Sequence, residues 1–404
     1  MLIREIYLEK IRPFYHIDLI KVLVGVRRSG KSEILRQIKS DLVSQGIDND
    51  SILSINFEDY LFEPYRDPNK LYSYILEKIK IGKKTYILLD EVQAVIDFQR
   101  ILASLKATQD VSIFVTGSNS NILSGDLATL LAGRYVSFHI MPFTYQEVCL
   151  YLTQSGQEVN EETFNEYLKW GGLPQRFQLK EERHIATYLN DVFDSIINKD
   201  ILAKVDRVDQ NLLNRTIRFM FDNTAKVFSS HTVYNQLLIE DKTVQRKVVH
   251  TNVDRILSSM AVMKCQKYDI KGKAFLTVYE KYYIADLGLR TILRSSSETD
   301  ISYSLETVVH NELVARGYQC YVGKTYRGEV DLVVFKDTKK CFIQVTYLME
   351  TEETRNREFG AFSPIKDGAP KYVLSLDRID FSRDGIQHLN IIDFLLGKVD
   401  IHFS

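Results

Sequence analysis

Eight consecutive residues, Gly25, Val26, Arg27, Arg28, Ser29, Gly30, Lys31 and Ser32, fit the pattern GxxxxGK[ST]. Glycines let backbone N–H groups approach phosphate oxygens with no Cβ in the way. The segment follows the apolar run LIKVLVGV (19–26) and leads into SEILRQIKSDLVSQG (32–46), whose spacing predicts an amphipathic helix closed by Gly46. Strand, glycine loop and helix N-terminus in that order form an anion site, because the helix end adds partial positive charge beneath the loop. Lys31 is placed to reach the β- and γ-phosphates of ATP, and the Ser32 hydroxyl to ligate Mg2+.

A second constellation lies some 60 residues downstream, in YILLDE (86–91). An apolar strand that ends in two carboxylates is costly unless a cation or a polar network receives them. Asp90 suits the holding of magnesium through water, and Glu91 the polarising of an attacking water. Together these motifs predict an ATP-hydrolysing enzyme. The adjacent acid pair favours hydrolysis over small-molecule phosphorylation, and the chain has no NKxD for guanine recognition. ILSGD (122–126) resembles a transporter signature but follows the acid pair instead of preceding it, which discards that class.

The elements that must position these residues can be read coarsely. The 404 residues correspond to two to four domains at roughly 100–200 residues each. Up to about residue 145, continuous apolar runs (19–26, 51–57, 84–90 and 111–117) alternate with helical stretches. This predicts an α/β fold, a P-loop NTPase parallel sheet with helices on both faces. From 146 to 260 the spacing is helical, as in TYLNDVFDSIINKDIL (187–202) and RTIRFMFD (215–222). A hairpin pattern follows, AVMKCQKYD, IKGK, AFLTVYEKYYI, and later the strand-like GEVDLVVF and KCFIQVTYL. The expected division is an ATPase domain over 1–165, a helical and winged-helix region over 166–290, and a C-terminal α/β domain over 291–404.

Lys plus Arg (52) and Asp plus Glu (53) nearly cancel, so any nucleic-acid site must be local. One local excess exists. Residues 242–273 hold eight Lys or Arg and two acids. There a helix over SSHTVYNQLL, a second over TVQRKVVHTNVDRILSSM and the hairpin follow the layout of a winged helix, which can dock on double-stranded DNA. Gln245, Arg246, Lys247, His250 and Asn252 would face the duplex, with Lys267, Lys271 and Lys273 on the wing. A purely interdomain or protein-binding role remains open for this module. No apolar run reaches the ~18 residues of a membrane span, and MLIREIYLEK has no signal-peptide core. Four scattered cysteines suit free thiols in a reducing compartment, so a cytoplasmic location is expected. The eight histidines show no HxH or HExxH spacing.

GVRRSGKS, INFED (55–59), LLDEVQ (88–93), TGSNS (116–120), LAGR (131–134), the WGGLP segment (170–174), KYYIADLGLR (281–290), LETVVHNELVARGY (305–318), GEVDLVVF and FIQVTY (342–347) together resemble one family over nearly the whole chain. It comprises archaeal and bacterial AAA+-like ATPases whose C-terminal part is a domain of unknown function with a restriction-endonuclease-like fold. The resemblance implies a sensor residue at Ser118 or Asn119, and at Arg134 a nucleotide-sensing arginine, an arginine finger or a surface salt bridge. For the C-terminal domain it implies a site of Glu306, Asp331, Gln344 and Thr346. Gln344 and Thr346 stand where active nucleases have Glu and Lys, so cleavage is not expected; Glu329 would pair with Arg327 or Lys324. The functions implied are an ATPase coupled to a DNA-binding module, a DNA-binding regulator that binds ATP with negligible turnover, or an atypical nuclease. A protein partner or self-association is compatible with each.

Overall fold

The computed structural model describes residues 2–80, 82–123, 131–202, 209–293 and 301–404. They form two compact units: Met1–Met141 with Ser258–Met260, and Pro142–Leu257 with Ala261–Ser404. The boundary expected near 165 thus falls inside the second unit.

The first unit is built on five parallel strands, β1 (Ile20–Val24), β2 (Ile52–Asn56), β3 (Thr85–Asp90), β4 (Val111–Gly117) and β5 (Tyr135–His139), in the order β2-β3-β4-β1-β5. β1, β3 and β4 are buried along their whole length, which is why their sequences run apolar instead of alternating. Helices α1 (Glu5–Ile11), α2 (Lys31–Ser44), α3 (Pro68–Lys78) and α4 (Phe98–Thr108) accompany them. α3 starts where expected for its sequence: Asp67 caps the Lys70 N–H, and Pro68 occupies the first helical position. Ile75, Ile87, Leu102, Leu105 and Ile113 belong to the core cluster on the β3–β4 sheet.

In the second unit, the helices Tyr145–Gln154, Glu161–Trp170, Glu182–Ser195 and Gln210–Asp222 precede a short strand, β6 (Val227–Phe228). The helices Ser230–Glu240 and Arg246–Ser258 come next, then β7 (Val262–Asp269) and β8 (Ala274–Ile284). The helix Ile301–Ala315 leads to β9 (Gln319–Lys324), β10 (Glu329–Lys336), β11 (Lys339–Val345), β12 (Lys371–Ser375) and β13 (Ile386–Asn390). These strands form one mixed eight-stranded sheet, β13-β12-β11-β10-β9-β7-β8-β6. The join is the parallel pairing of β7 with β9, in which Asp269 lies opposite Lys324. The boundary expected at 290 therefore lies between strands of a single hydrogen-bonded sheet. Among the described residues, no helix is long and apolar enough to cross a membrane.

Candidate nucleotide site and a buried charge cluster

The glycine loop leaves β1 after Val24, at the carboxyl edge of the parallel sheet, where α/β folds bind ligands. Gly25 is required by close approach: a Cβ there would lie 2.2 Å from the Ile140 carbonyl oxygen. Gly30 caps α2 with φ +98°, a left-handed conformation open to glycine. The Val26 side chain is core, so only its backbone faces the loop. Lys31 is buried and its ammonium donates to the carbonyls of Gly25 (3.0 Å) and Val26 (3.1 Å), which folds it back over the loop. Arg27 pairs with Glu58 at 3.5 Å, just beyond β2, and Arg28 is exposed with φ +68°.

Asp90 ends β3 two strands from β1. The Thr116 hydroxyl donates to its Oδ1 at 2.5 Å and accepts the Glu91 N–H at 2.9 Å. Burial pushes the Asp90 carboxyl above its usual range; hydrogen bonds from Thr116 and Ser32, and the charge of Lys31, oppose that shift. Ser32 and Asp90, read separately from the sequence, are thus brought together. Glu91 stands at φ +54°, ψ +48°, which costs a non-glycine residue about 1 kcal/mol or more. The Gln93 amide donates to its carboxylate. Ser118, fully buried at the end of β4, lies 3.5 Å from Gln93 Nε2, and Asn119 follows it half-buried.

Several supporting residues escaped the sequence reading. Arg4, 1% exposed, donates to the Ser29 carbonyl at 2.8 Å and so braces the loop from the segment before α1. Thr116 and Gln93 order the two carboxylates. Thr116 was legible as a hydroxyl inside an apolar run, whereas nothing around Arg4 marks it. His139, at the end of β5 beside Val24, has a buried Nε2 with no hydrogen-bond partner, and burial and then Lys31 push its pKa down to about 4. The fold therefore stabilises the neutral ring. That stability is complete above about pH 6.5, the unfolded value, and declines as pH falls toward about 4. Denaturant titrations at about pH 7.5 and about pH 4.5 should show the first unit weakening with acid, and His139→Leu should remove part of the difference.

Arg134 is corrected by the register. The Ile20 N–H donates to its carbonyl at 2.9 Å, so it sits at the amino edge of the sheet. The loop leaves from the other end of β1, about 13 Å away for four residues of strand. Arg134 cannot sense a nucleotide on its own chain. Part of ILSGD (122–126) lies outside the described residues.

A fit test for a magnesium nucleotide rests on three features of this edge. A buried carboxylate with a hydroxyl beside it is a donor set suited to a hard cation. The Ser29 hydroxyl is buried with no hydrogen-bond partner. The first turn of α2 presents N–H groups that have no intrahelical acceptor. The residues present fit the group.

In the second unit the WGGLP and ADLGLR segments interlock. Asp286, buried, accepts the N–H groups of Gly172 (2.7 Å) and Gly288 (2.9 Å), and Arg176 donates to the Gly171 carbonyl at 2.8 Å. Burial raises Asp286 to about 6 despite these bonds and Arg176. These motifs are structural. A Cβ on Gly172 would lie 2.2 Å from the Phe143 carbonyl oxygen, which is backbone and cannot yield. Gly172→Ala should cost about 3 kcal/mol or more, read as a large drop in thermal midpoint. Gly46→Ala, with open space around it, should cost only about 1 kcal/mol from its positive φ.

The C-terminal candidates converge on a lysine. Lys281 of β8 donates to Glu306 (2.7 Å) and Asp331 (3.0 Å), and the Tyr283 hydroxyl donates to the same Glu306 oxygen at 2.6 Å. Tyr283 stacks on His310 with ring centroids 3.9 Å apart. Burial alone would lower the Lys281 pKa, but the two carboxylates outweigh it and hold the ammonium charged. Burial and then Asp331 raise Glu306 to about 7, against Lys281 and Tyr283. Gln344 Oε1 accepts the Asp331 N–H at 3.3 Å, while Thr346, buried, lies past the end of β11. Glu329 pairs with Lys267, not with Arg327 or Lys324.

That pair also corrects the DNA candidates: Lys267 is 8% exposed and engaged, so it cannot meet a duplex. Asn252 is fully buried and is likewise removed. His250 is held between Ser230 Oγ (2.9 Å) and Arg246 Nε (3.3 Å). Gln245, Arg246, Lys247, Lys271 and Lys273 are exposed.

Comparison with known proteins distinguishes two segments of the chain. Residues 18–149 match the model of an AAA domain, and residues 161–300 that of a domain of unknown function, DUF8612. An uncharacterised protein of Haemophilus influenzae is 33% identical over 401 residues, covering 98% of this chain and 99% of its own. One from Methanocaldococcus jannaschii is 26% identical over 393 residues, 93% and 85% of the two chains. Among solved structures, Aeropyrum pernix ORC1 in complex with DNA aligns at TM-score 0.32 and 12% identity, over 72% of this chain and 92% of that one. AMPPCP-bound DnaA from Aquifex aeolicus aligns at TM-score 0.33 and 14% identity, over 63% and 83%. A carboxyl-edge glycine loop, the Ser32–Asp90 pair and 33% identity over nearly the whole of both chains with the Haemophilus protein lead to one conclusion: the chain belongs to that protein's family, P-loop proteins with an AAA domain followed by a domain of unknown function.

Proposed function

We propose that the first unit binds and hydrolyses ATP with magnesium, and that nucleotide state governs a nucleic-acid-binding second unit. The observation that carries this reading is the convergence of Lys31, Ser32, Asp90 and Glu91 at one sheet edge, each in a different electrostatic role. The loop N–H groups and Lys31 would receive the β- and γ-phosphates, Lys31 exchanging carbonyl partners for phosphate oxygens. Ser32 and Asp90 would hold magnesium, which supplies charge neutralisation between the phosphates. Glu91, steered by Gln93, would orient the attacking water, with Ser118 or Asn119 at the γ-phosphate end.

Helix 210–222, β6, helices 230–240 and 246–258, β7 and β8, with β6-β8-β7 adjacent in the sheet, follow the layout of a winged helix. This supports duplex contacts through Arg246 and Lys247, and through Lys271 and Lys273 on the wing. Glu306 and Asp331 are satisfied by an internal ammonium, which stands against their use in phosphodiester cleavage.

The test is phosphate release from ATP, with magnesium and with chelator. Thr116→Val keeps the shape of the side chain but frees Asp90 and orphans the Glu91 N–H. It should lower turnover at limiting magnesium by roughly tenfold, about one hydrogen bond to a charged group. Turnover indifferent to chelator would refute the reading.

A further inference from the structure

Two hairpin tips emerge side by side from the sheet of the second unit. β7 and β9 are adjacent and parallel, about 4.8 Å apart, and the Ile270 N–H donates to the Lys324 carbonyl at 3.2 Å. One tip is Lys271, Gly272 and Lys273. The other is the turn closed by the bond from the Thr325 N–H to Gly328 O (2.9 Å), with Tyr326 and Arg327 at its apex.

Lys271, Lys273, Lys324 and Arg327 are all exposed there. The neighbouring acids have other work. Asp269 accepts the N–H groups of Lys271 and Gly272 at 3.1 Å each, and Glu329 pairs with Lys267. Asp367 pairs with Lys340 at 2.6 Å. Tyr326 is 73% exposed with the Arg327 guanidinium 5.4 Å from its ring centroid, and Phe275, just past the first tip, is 56% exposed. The Phe275 ring centroid lies 4.7 Å from that of Tyr321, which fixes its orientation.

Cations that track a phosphate backbone, interleaved with aromatic faces left in water, suit unpaired bases. A duplex offers phosphates but no open base faces, so it would gain nothing from Tyr326. We propose that these paired tips bind single-stranded nucleic acid, Tyr326 and Phe275 stacking on bases while Lys271, Lys273, Lys324 and Arg327 neutralise phosphates. Lys271 and Lys273 are shared with the wing proposed above, so the inference deepens that reading; Tyr326, Arg327 and Lys324 lie outside the winged-helix layout, and the surface draws on neither the nucleotide site nor Arg246 and Lys247.

The test uses the full chain and fluorescence anisotropy with labelled oligothymidylate and oligouridylate of about 20 nucleotides, beside a blunt duplex of the same length, at about 50 and about 200 mM salt. The single strands should bind more tightly than the duplex, and the two single-strand arms tell DNA from RNA. Tyr326→Ala should weaken that binding roughly 5- to 100-fold. Lys324→Ala and Arg327→Ala should each lower the salt slope by about 0.7. Replacing Arg246 and Lys247 with alanine should leave it unchanged, and ATP turnover of the tip variants should equal that of wild type. Absence of single-strand binding at the lower salt, or equal affinity after Tyr326→Ala, would overturn the proposal. Absence of ATP turnover in wild type, with its single-strand binding intact, would refute only the nucleotide reading.

Discussion

Glu91→Gln should leave MgATP bound but slow its hydrolysis by roughly 100-fold or more, the usual contribution of a positioned general base. The substitution keeps size and the hydrogen bond with Gln93 but removes the charge that polarises water. The backbone at Glu91 is unaffected, because its N–H bond to Thr116 Oγ1 and its φ of +54° do not depend on the side chain. Lys31→Ala should act differently. It deletes the ammonium that now bonds Gly25 and Val26, and with it a charge-assisted contact worth about 1.5–3 kcal/mol, so binding should weaken at least tenfold. Equilibrium binding of a fluorescent ATP analogue and phosphate release, measured on both variants, separate the two roles. Equal turnover in Glu91→Gln and wild type would remove Glu91 from the chemistry.

The second large effect is expected at Lys281. Lys281→Met is similar in volume but leaves Glu306 and Asp331 facing each other without a counter-charge. Breaking a buried ion pair on one side costs about 3–5 kcal/mol, here inside the sheet that unites the whole second unit. The sign with pH follows from Glu306, whose folded pKa stands near 7, above the ordinary glutamate value of 4.5. Without the ammonium it rises further. A carboxyl raised on folding contributes stability at low pH and loses it as pH climbs through the folded value. Lys281→Met should thus be weaker than wild type at every pH, and weaker at pH 8 than at pH 5. Adding Glu306→Gln should restore much of the loss, since it removes one of the two uncompensated charges. Denaturant titration of the three proteins at both pH values checks this. An undiminished midpoint in the single variant would mean the cluster does not hold the sheet together.

The nucleotide edge was legible because local signals coincide there. β1 to β4 are continuous apolar runs, and the loop and acid pair sit at their ends. β5 was not legible: Tyr135–His139 is an edge strand, half-buried and mixed in polarity, so YVSFH shows neither an apolar run nor a clean alternation. Arg134 as a sensor on its own chain could not be dismissed for the same reason, since only the register of β5 against β1 reveals which end of the sheet it occupies. In the second unit the hairpin of β7 and β8 could be read from alternation and its IKGK turn. Its pairing with β9, some 50 residues away, leaves no local trace. Lys281 consequently carries no local sign of its role, and Lys267 reads as a DNA contact. Their acidic partners are supplied by distant segments, Glu306 and Asp331 for one and Glu329 for the other. The glycines of WGGLP and DLG had a recognisable pattern, but their meaning, backbone pressed against backbone and against Asp286, belongs to tertiary structure.

Isothermal titration of MgATP into the purified full-length protein probes the glycine cradle most directly. Wild type should give a saturable heat, Glu91→Gln a similar affinity, and Lys31→Ala an isotherm weakened at least tenfold. No heat from wild type in the presence of magnesium, or an isotherm unaltered by Lys31→Ala, would contradict the assignment of this edge as a triphosphate site.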